Sequence, residues 1–502
     1  MGSKHPDHID FAGDYNLNGI ILQAHDGTGG RIGEGGVNIQ ALVQELNIYE
    51  GINQTAVYGT LVIVDSLNLI SNLPIQGTER LFFKLSTPGS SEVEHIIDAS
   101  EETGHPFYVY KISNKQQTSQ GTQVYTIHFC SREFLRNIRT KVSKAYEGKL
   151  SDMVQQIVAE KEGLDSRKTL YYEETSNADK FVMPNISPFK AIGMIAKRAL
   201  PEHGNGVGYY YYETTKGLYF QSWESMCARE ATHRREPIQE FYYMPQNITD
   251  DTIVDKDKKT GKVKQVPKEI HDLKSVEEYK FVNTFHDTAA AQALGTYGHR
   301  VISHNLFAKD FKETDWNYHR EFNQTVHADH QDGNKGATKP TVFGNPVDFD
   351  NNRVSDYPES MVSLQSTTQF LHNEASGSFG TDVNDDGRLE GVRNAQKMQV
   401  EAGTTIQMTI KGQTYIQPGH VIDFSVRPVE PEGQTADKKT YDPQYSGRYI
   451  ITKVRHRVTK QDYKMVLEVK KDSVREAHHG GTIQTFVGTA NNENTQYKKI
   501  DS

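Results

Sequence analysis

At about 100 to 200 residues per domain, a chain of 502 residues holds three or four compact units. Its 56 Lys and Arg stand against 65 Asp and Glu, a net charge of −9, which argues against a surface that neutralises duplex phosphates and so against specific nucleic-acid binding. Two cysteines, Cys130 and Cys227, exclude a disulfide framework and a four-ligand zinc site, and require no oxidising compartment.

An N-terminal arm, residues 1–17, precedes the first strand signal. Between 18 and 135, apolar or alternating runs at 19–24, 43–50, 57–65, 80–86, 106–113 and 122–130 are separated by Gly, Asn, Ser and Pro clusters, which predicts an antiparallel barrel or sandwich. In the last run Tyr125, Ile127 and Phe129 share one face and Thr126 and His128 the other. That period of two marks a half-buried strand whose aromatic face meets the core.

The period then changes. Phe134, Leu135, Ile138 and Val142 recur at helical spacing, and Ser151 stands as N-cap to a run of Met153, Val154, Ile157 and Val158 that ends near Gly163. Ser187 and Pro188 open a third helix with Phe189, Ile192, Ile195, Ala196 and Leu200 on one stripe. The aromatic segment 208–223 reads as two strands turning around Thr214 to Gly217. Residues 136–245 are thus expected to form a small α/β domain.

Residues 246–275 are rich in Lys and Asp and read as a solvated loop, so 246–325 is taken as a linker and the start of a second barrel. Residues 326–395 carry many Asp, Asn, Gly, Ser and Pro, the composition of a long loop-rich insertion. Strands return within 396–478, at 404–412, 420–428, 447–459 and 463–471, and the polar stretch 479–502 reads as a loosely held tail. The fold class is α+β, mainly β: two antiparallel β-barrels with a small α/β domain between them.

Two segments of the first barrel are echoed in the second. LPIQGTERLFFKLSTP (73–88) is matched by IQPGHVIDFSVRP (416–428), and FYVYKIS with VYTIHFCSREF (107–134) by RYIITKV with YKMVLEVKKDSV (448–474). A chain with two similar barrels, assembled as a cyclic trimer, would present six quasi-equivalent barrels in a ring.

Three segments taken in order, 53–85, 185–222 and 416–459, resemble the baseplate hub subunit of contractile-tailed, T-even-type bacteriophages, which is also similar to the hub part of type VI secretion spike proteins. The resemblance spans about 400 residues and implies tail-tube-like barrels in a pseudo-six-fold ring, a peripheral α/β domain and a homotrimer with an axial channel. It implies contacts with tail tube proteins on one side and the central spike protein on the other, with baseplate wedge and tape-measure proteins as further candidates. The implied location is the tail baseplate of the virion, assembled in the host cytoplasm. The chain is longer than the T-even pattern, notably at 326–391 and after 479. It ends in GTANNENTQYKKIDS rather than in a repetitive spike, which disfavours the secretion-system homologue.

No local signature of bond chemistry stands out. In GTGGRIGEGG (27–36) the third glycine of a dinucleotide pattern would fall at Ile32, and neither Gly148-Lys149 nor Gly261-Lys262 completes a phosphate-cradling loop. There is no G-x-S-x-G elbow and no H-E-x-x-H pair. His327, His330 and Asp332 are read as solvated loop residues. Asp382, Asn384, Asp386 and Gly387 match the start of a calcium loop, but Arg393 stands where the bidentate Glu belongs, so an Asx-rich turn is expected instead. No catalytic, metal or cofactor residue is assigned. No apolar run approaches about 18 residues and no leader segment is evident, so neither membrane nor targeting is expected.

Lys453, Arg455 and Arg457 alternate with Val454 and Val458, which places three cations on the outer face of one strand. They are the candidate interface residues. The reading is a structural hub without enzymatic activity. The alternative is a tail-associated cell-wall hydrolase, a glycosidase whose two carboxylates spacing cannot single out among 65 acids.

Overall fold

The structure, a computed structural model, describes residues 9, 11–24, 36–73, 75–89, 96–100, 103, 105–119, 121–228, 238–243, 252–256, 263–267, 272–305, 309–330, 352–366, 383–426, 441–442 and 444–475. The Gly-rich run 27–35, the tail 479–502, Asp332 and Asp382 lie outside them.

The punctuated first quarter of the chain folds into eight strands: β1 (Asn16–Gln23), β2 (Val37–Asn38), β3 (Val43–Gly51), β4 (Tyr58–Asp65), β5 (Arg80–Ser86), β6 (Ile97–Asp98), β7 (Phe107–Ser119) and β8 (Thr122–Cys130). They lie side by side in the order β2-β1-β5-β7-β8-β4-β3, with β6 on β5 and every pairing antiparallel. The alternation in β8 settles which side goes inward. Tyr125, Ile127 and Phe129 are fully buried, with Leu81, Phe83 and Leu85 of β5 in the same core. Each such side chain contributes about 1.5 to 3 kcal/mol on leaving water.

The change to helical spacing is realised in three helices, Arg132–Arg139, Leu150–Ala159 and Pro188–Ala196. Ser187 holds the N-cap position of the third and Pro188 stands in its first turn, as its sequence signals, but the Ser187 hydroxyl makes no capping hydrogen bond. Ser151 instead lies inside the second helix, whose N-cap is Lys149, and its N–H is satisfied by Thr175 Oγ1 at 2.9 Å. Around them run β9 (Ala145–Lys149), β10 (Leu170–Tyr172), β11 (Ala178–Val182), β12 (Tyr209–Thr214) and β13 (Gly217–Ser222). The hairpin β12–β13 turns at Thr214 to Gly217 as expected, and β10 extends it in parallel beside β13. Met153, Ile157, Ile192, Ile195 and Phe220 share this unit's own apolar core.

The chain then crosses to the second sheet through β14 (Gln239–Tyr243). The stretch read as a plain loop holds an antiparallel pair, β15 (Thr252–Lys256) and β16 (Val263–Pro267), followed by β17 (Ser275–Asn283). An insert between β17 and the next barrel strand has a three-stranded sheet of its own, formed by β18 (Gly298–Asn305), β19 (Asp310–Asn317) and β20 (Val362–Ser366). The helix Val383–Ala402 packs against this sheet, with His299 Nε2 3.1 Å from the Gly391 carbonyl oxygen. Residues 298–317, counted with the barrel from sequence, therefore fall in a separate sheet, and the start of 396–478 is helical.

Four strands complete the barrel: β21 (Thr404–Lys411), β22 (Val421–Ser425), β23 (Gly447–Thr459) and β24 (Tyr463–Lys471). Six strands close in the cycle β14-β22-β23-β24-β21-β17. One feature differs from the expected antiparallel pattern, because β14 runs parallel to both β17 and β22. The echo in the sequence is an echo in topology: β1-β5-β7-β8-β4-β3 and β14-β22-β23-β24-β21-β17 have the same connectivity between their middle strands. They part company at closure. β17 pairs with β14, whereas no ladder joins β3 to β1 among the described residues.

Candidate functional site at the junction of the two sheets

The edge that β3 does not offer to β1 is taken by β23. That strand is 13 residues long and changes partner midway. Gly447 to Ile450 pair with β22 and close the barrel, whereas Lys453 to Thr459 pair with Gly51 to Glu45 of β3. The hand-over falls at Thr452, where the register with β24 slips between Ile451 and Lys453, the extra residue and bend of a β-bulge. The Thr452 carbonyl accepts the Ile52 N–H at 2.9 Å. One apolar core consequently runs through both sheets, from Leu61 and Phe129 to Ile406 and Leu467.

The structure places Lys453, Arg455 and Arg457 on the outer face of this junction and brings each to a partner in the same chain. Lys453 Nζ donates to Glu468 Oε2 at 2.8 Å, Arg455 Nε to Asn47 Oδ1 at 2.9 Å, and Arg457 Nε and Nη2 to Glu45 Oε2 at 3.1 and 3.0 Å. The Arg455 guanidinium also lies 5.8 Å from the Tyr49 ring centre. Burial alone would raise the Glu45 carboxyl, but hydrogen bonds from Asn47 and Arg457 and the two arginine charges hold it below the usual carboxylate range. Val454 and Val458 face the core as the alternation requires.

Beneath the junction lies a set of buried charges that no local motif signals. Glu213 of β12 is fully enclosed, and its Oε2 accepts the Val57 N–H at 3.0 Å and the Ser131 hydroxyl at 2.5 Å, while Lys168 donates to its other oxygen. Lys168 also stands 3.7 Å from Glu133. Burial raises the Glu213 carboxyl, Lys168 opposes that and Glu133 adds to it, leaving it at about 7. Glu50 of β3, raised by its own burial, accepts the Thr215 N–H at 3.0 Å. These bonds clamp the hairpin of the α/β unit onto the first sheet. Their signal was phase, because Glu50 stands in step with Leu46 and Ile48 on the inward face, where an acid requires a partner.

The other candidate residues resolve as structure. His327 is buried with Nδ1 3.0 Å from Asp472 Oδ2 and Nε2 2.6 Å from the Phe322 carbonyl oxygen, and Asp472 also accepts Trp223 Nε1 at 3.2 Å. His330 Nδ1 lies 3.1 Å from the His327 carbonyl oxygen. Asn384, Asp386 and Gly387 lie within a helix rather than in an Asx-rich turn. Among the described residues no three His, Cys, Asp or Glu side chains converge as a metal site, and no helix is long and apolar enough to cross a membrane. Cys130 and Cys227 are both unpaired and buried.

No family model matches the chain. It is 21% identical over 441 residues to the probable baseplate hub protein gp334 of Vibrio phage KVP40, a match covering 87% of this chain and 91% of that protein. The chain resembles a phage baseplate hub. Among solved structures, the 43 kDa tail protein of prophage MuSo2 from Shewanella oneidensis is 9% identical with a TM-score of 0.46, covering 91% of this chain and 100% of that one. The tail protein of Neisseria meningitidis MC58 is also 9% identical, with a TM-score of 0.45, covering 92% and 100%. The E. coli c3393 protein, a component of the type VI secretion system, is 8% identical with a TM-score of 0.37, covering 88% and 76%. The hub-like chain is mainly β, with a closed six-stranded barrel and additional strands.

Proposed function

We propose that this chain is a structural baseplate hub protein of a contractile phage tail: a homotrimer that joins the six-fold tail tube to the three-fold central spike. Each subunit contributes one closed barrel and one curled sheet of matching strand order, held in a fixed relation by the β3–β23 pairing. That internal duplication carries the reading, because three copies then supply six similar β units around one axis. The units are taken as 18–135 and 396–478, each with neighbouring strands, and 136–245 at the periphery.

The ring encloses the channel through which DNA passes, and a net charge of −9 suits a wall that does not retain it. The work is done by buried area repeated through symmetry rather than by bond chemistry. Arg455 and Arg457 tie the two sheets together within a subunit while Lys453 pairs inside the barrel, and their side chains, 40%, 46% and 50% exposed, leave half of each for a neighbouring ring. The protein resides in the virion baseplate after assembly in the host cytoplasm.

Light scattering on the purified chain, alone and mixed with the candidate spike protein, tests this. A mass of three times 56.7 kDa for this component in either state is the expected result. A monomer in both removes the ring.

A further inference from the structure

A second feature lies where the first sheet meets the α/β unit. Between β5 and β7 on one side and the 165–169 segment with the β12–β13 turn on the other runs a cleft. It has two compartments of about 230 and 110 Å³ that share His105, Arg167 and Lys168. Among the described residues its walls carry five cations, Arg80, Arg132, Arg167, Lys168 and Lys216, against two carboxylates, Glu133 and Asp98, in a chain whose net charge is negative.

Part of this charge is already answered. Arg132 pairs with Asp165 at 2.6 Å, Lys168 with Glu213 and Glu133, and Asp98 with Lys84 at 3.2 Å. Arg80 and Arg167 are left without an ion-pair partner among the described residues, and the Nε of Arg80 is buried with no hydrogen bond. The surplus is felt nearby: burial, together with the charges of Lys168, Arg167 and Arg132, holds the His105 imidazole below its usual value despite Glu133. Phe82, Phe107 and Tyr108 supply the apolar part of the walls.

We infer that this cleft is a docking site for an acidic segment of a partner protein, with carboxylates taken by Arg80 and Arg167 and an apolar side chain laid on the aromatic wall. Guanidinium groups match carboxylates in a two-pronged geometry. The two adjoining compartments and the aromatic lining serve a peptide, whereas a compact inorganic anion would use only the cations. The site shares Lys168 and Glu133 with the buried clamp on Glu213 but does not use the exposed cations of β23 and does not depend on the trimeric ring.

Fluorescence anisotropy with the full-length protein tests it, using a fluorescein-labelled peptide of alternating glutamate and phenylalanine, its glutamine counterpart, and inorganic phosphate as competitor. The acidic peptide binds saturably and the glutamine peptide does not. Arg167→Glu, at an exposed position where folding is not at issue, weakens binding about tenfold or more, and Arg80→Gln weakens it similarly. Lys180→Gln, on a distant exposed ion pair, leaves it unchanged. No saturation by about 1 mM peptide, or equal binding by Arg167→Glu, overturns the inference. So does a cleft that takes phosphate but not the peptide.

Discussion

The Nδ1 atom of His456 lies 2.7 Å from the hydroxyl of Tyr463, across the β23–β24 hairpin, and both side chains are fully buried. The geometry fits a Tyr463 hydroxyl donating to Nδ1, with Nε2 turned toward Glu50 Oε1 at 3.8 Å. Burial, helped by the Lys216 charge, pushes the imidazole down to about 3. Its value in the folded chain is thus below its unfolded value of about 6.5. The stability associated with the neutral ring is present above that unfolded value and is lost as pH falls, because only the unfolded chain readily takes the proton. His456→Gln keeps a polar partner for Tyr463 but cannot titrate. Thermal unfolding is expected to show the wild type ahead at pH 7 and the gap narrowing by about 2 kcal/mol at pH 5. A gap independent of pH would reject a buried neutral histidine.

At the outer face of the same strand, Glu45 accepts from both Arg455 and Arg457. Because these pairs are largely exposed, Glu45→Ala should cost about 1 kcal/mol or less. Glu45→Lys sets a third cation beside the two arginines and should cost more, with much of that excess disappearing at about 1 M NaCl, where the screening length is about 3 Å. Melting temperatures of the two variants at low and high salt check this. A lysine variant insensitive to salt would mean that the arginines do not face position 45.

Strands carrying a clean period of two were legible from sequence, and β8 and β24 fall at 122–130 and 463–471 as the alternation indicates. The repeated meander was legible too, because a Pro/Gly turn and three alternating strands are local patterns. Closure was not. Whether β3 turns to β1 or to β23 depends on edges more than 400 residues apart in sequence, and alternation is silent about which edge a strand will meet. The insert was misread because its helix carries Asn384, Asp386 and Gly387, residues whose local preference is for turns. The cations of β23 were found by pattern, but their partners Glu45, Asn47 and Glu468 sit on other strands. Glu50 and His456 were visible only as polar residues in phase with Leu46 and Ile48, and with Val454 and Val458.

Gly59 of β4 packs directly under a ring. A Cβ built there would lie 2.0 Å from Phe129 Cζ and 2.6 Å from the Asn47 carbonyl oxygen. The ring cannot swing far, because Phe83 and Phe107 stand 6.2 and 5.1 Å from its centre. Gly59→Ala should therefore cost about 1 to 3 kcal/mol through overpacking. Pairing it with Phe129→Leu, which shortens the opposing side chain, should recover part of that loss. A double variant as unstable as the sum of the two singles would place the strain elsewhere.

The clamp beneath the junction makes the largest demand on stability. Lys168 is held charged, since Glu213 and Glu133 outweigh the cost of its burial. Lys168→Met removes the cation from between two enclosed carboxylates and should cost about 3 to 5 kcal/mol, the range for breaking a buried pair by deleting one partner. Adding Glu213→Gln takes away one of the stranded acids while keeping an oxygen for the Val57 N–H and the Ser131 hydroxyl. The double variant should consequently be more stable than Lys168→Met alone, although each substitution by itself destabilises. Thermal unfolding of the wild type, both singles and the double completes the cycle. Purely additive losses would mean that Lys168 and Glu213 do not depend on one another, and the hairpin would then be held to the first sheet by packing around Ile52, Tyr212 and Tyr219.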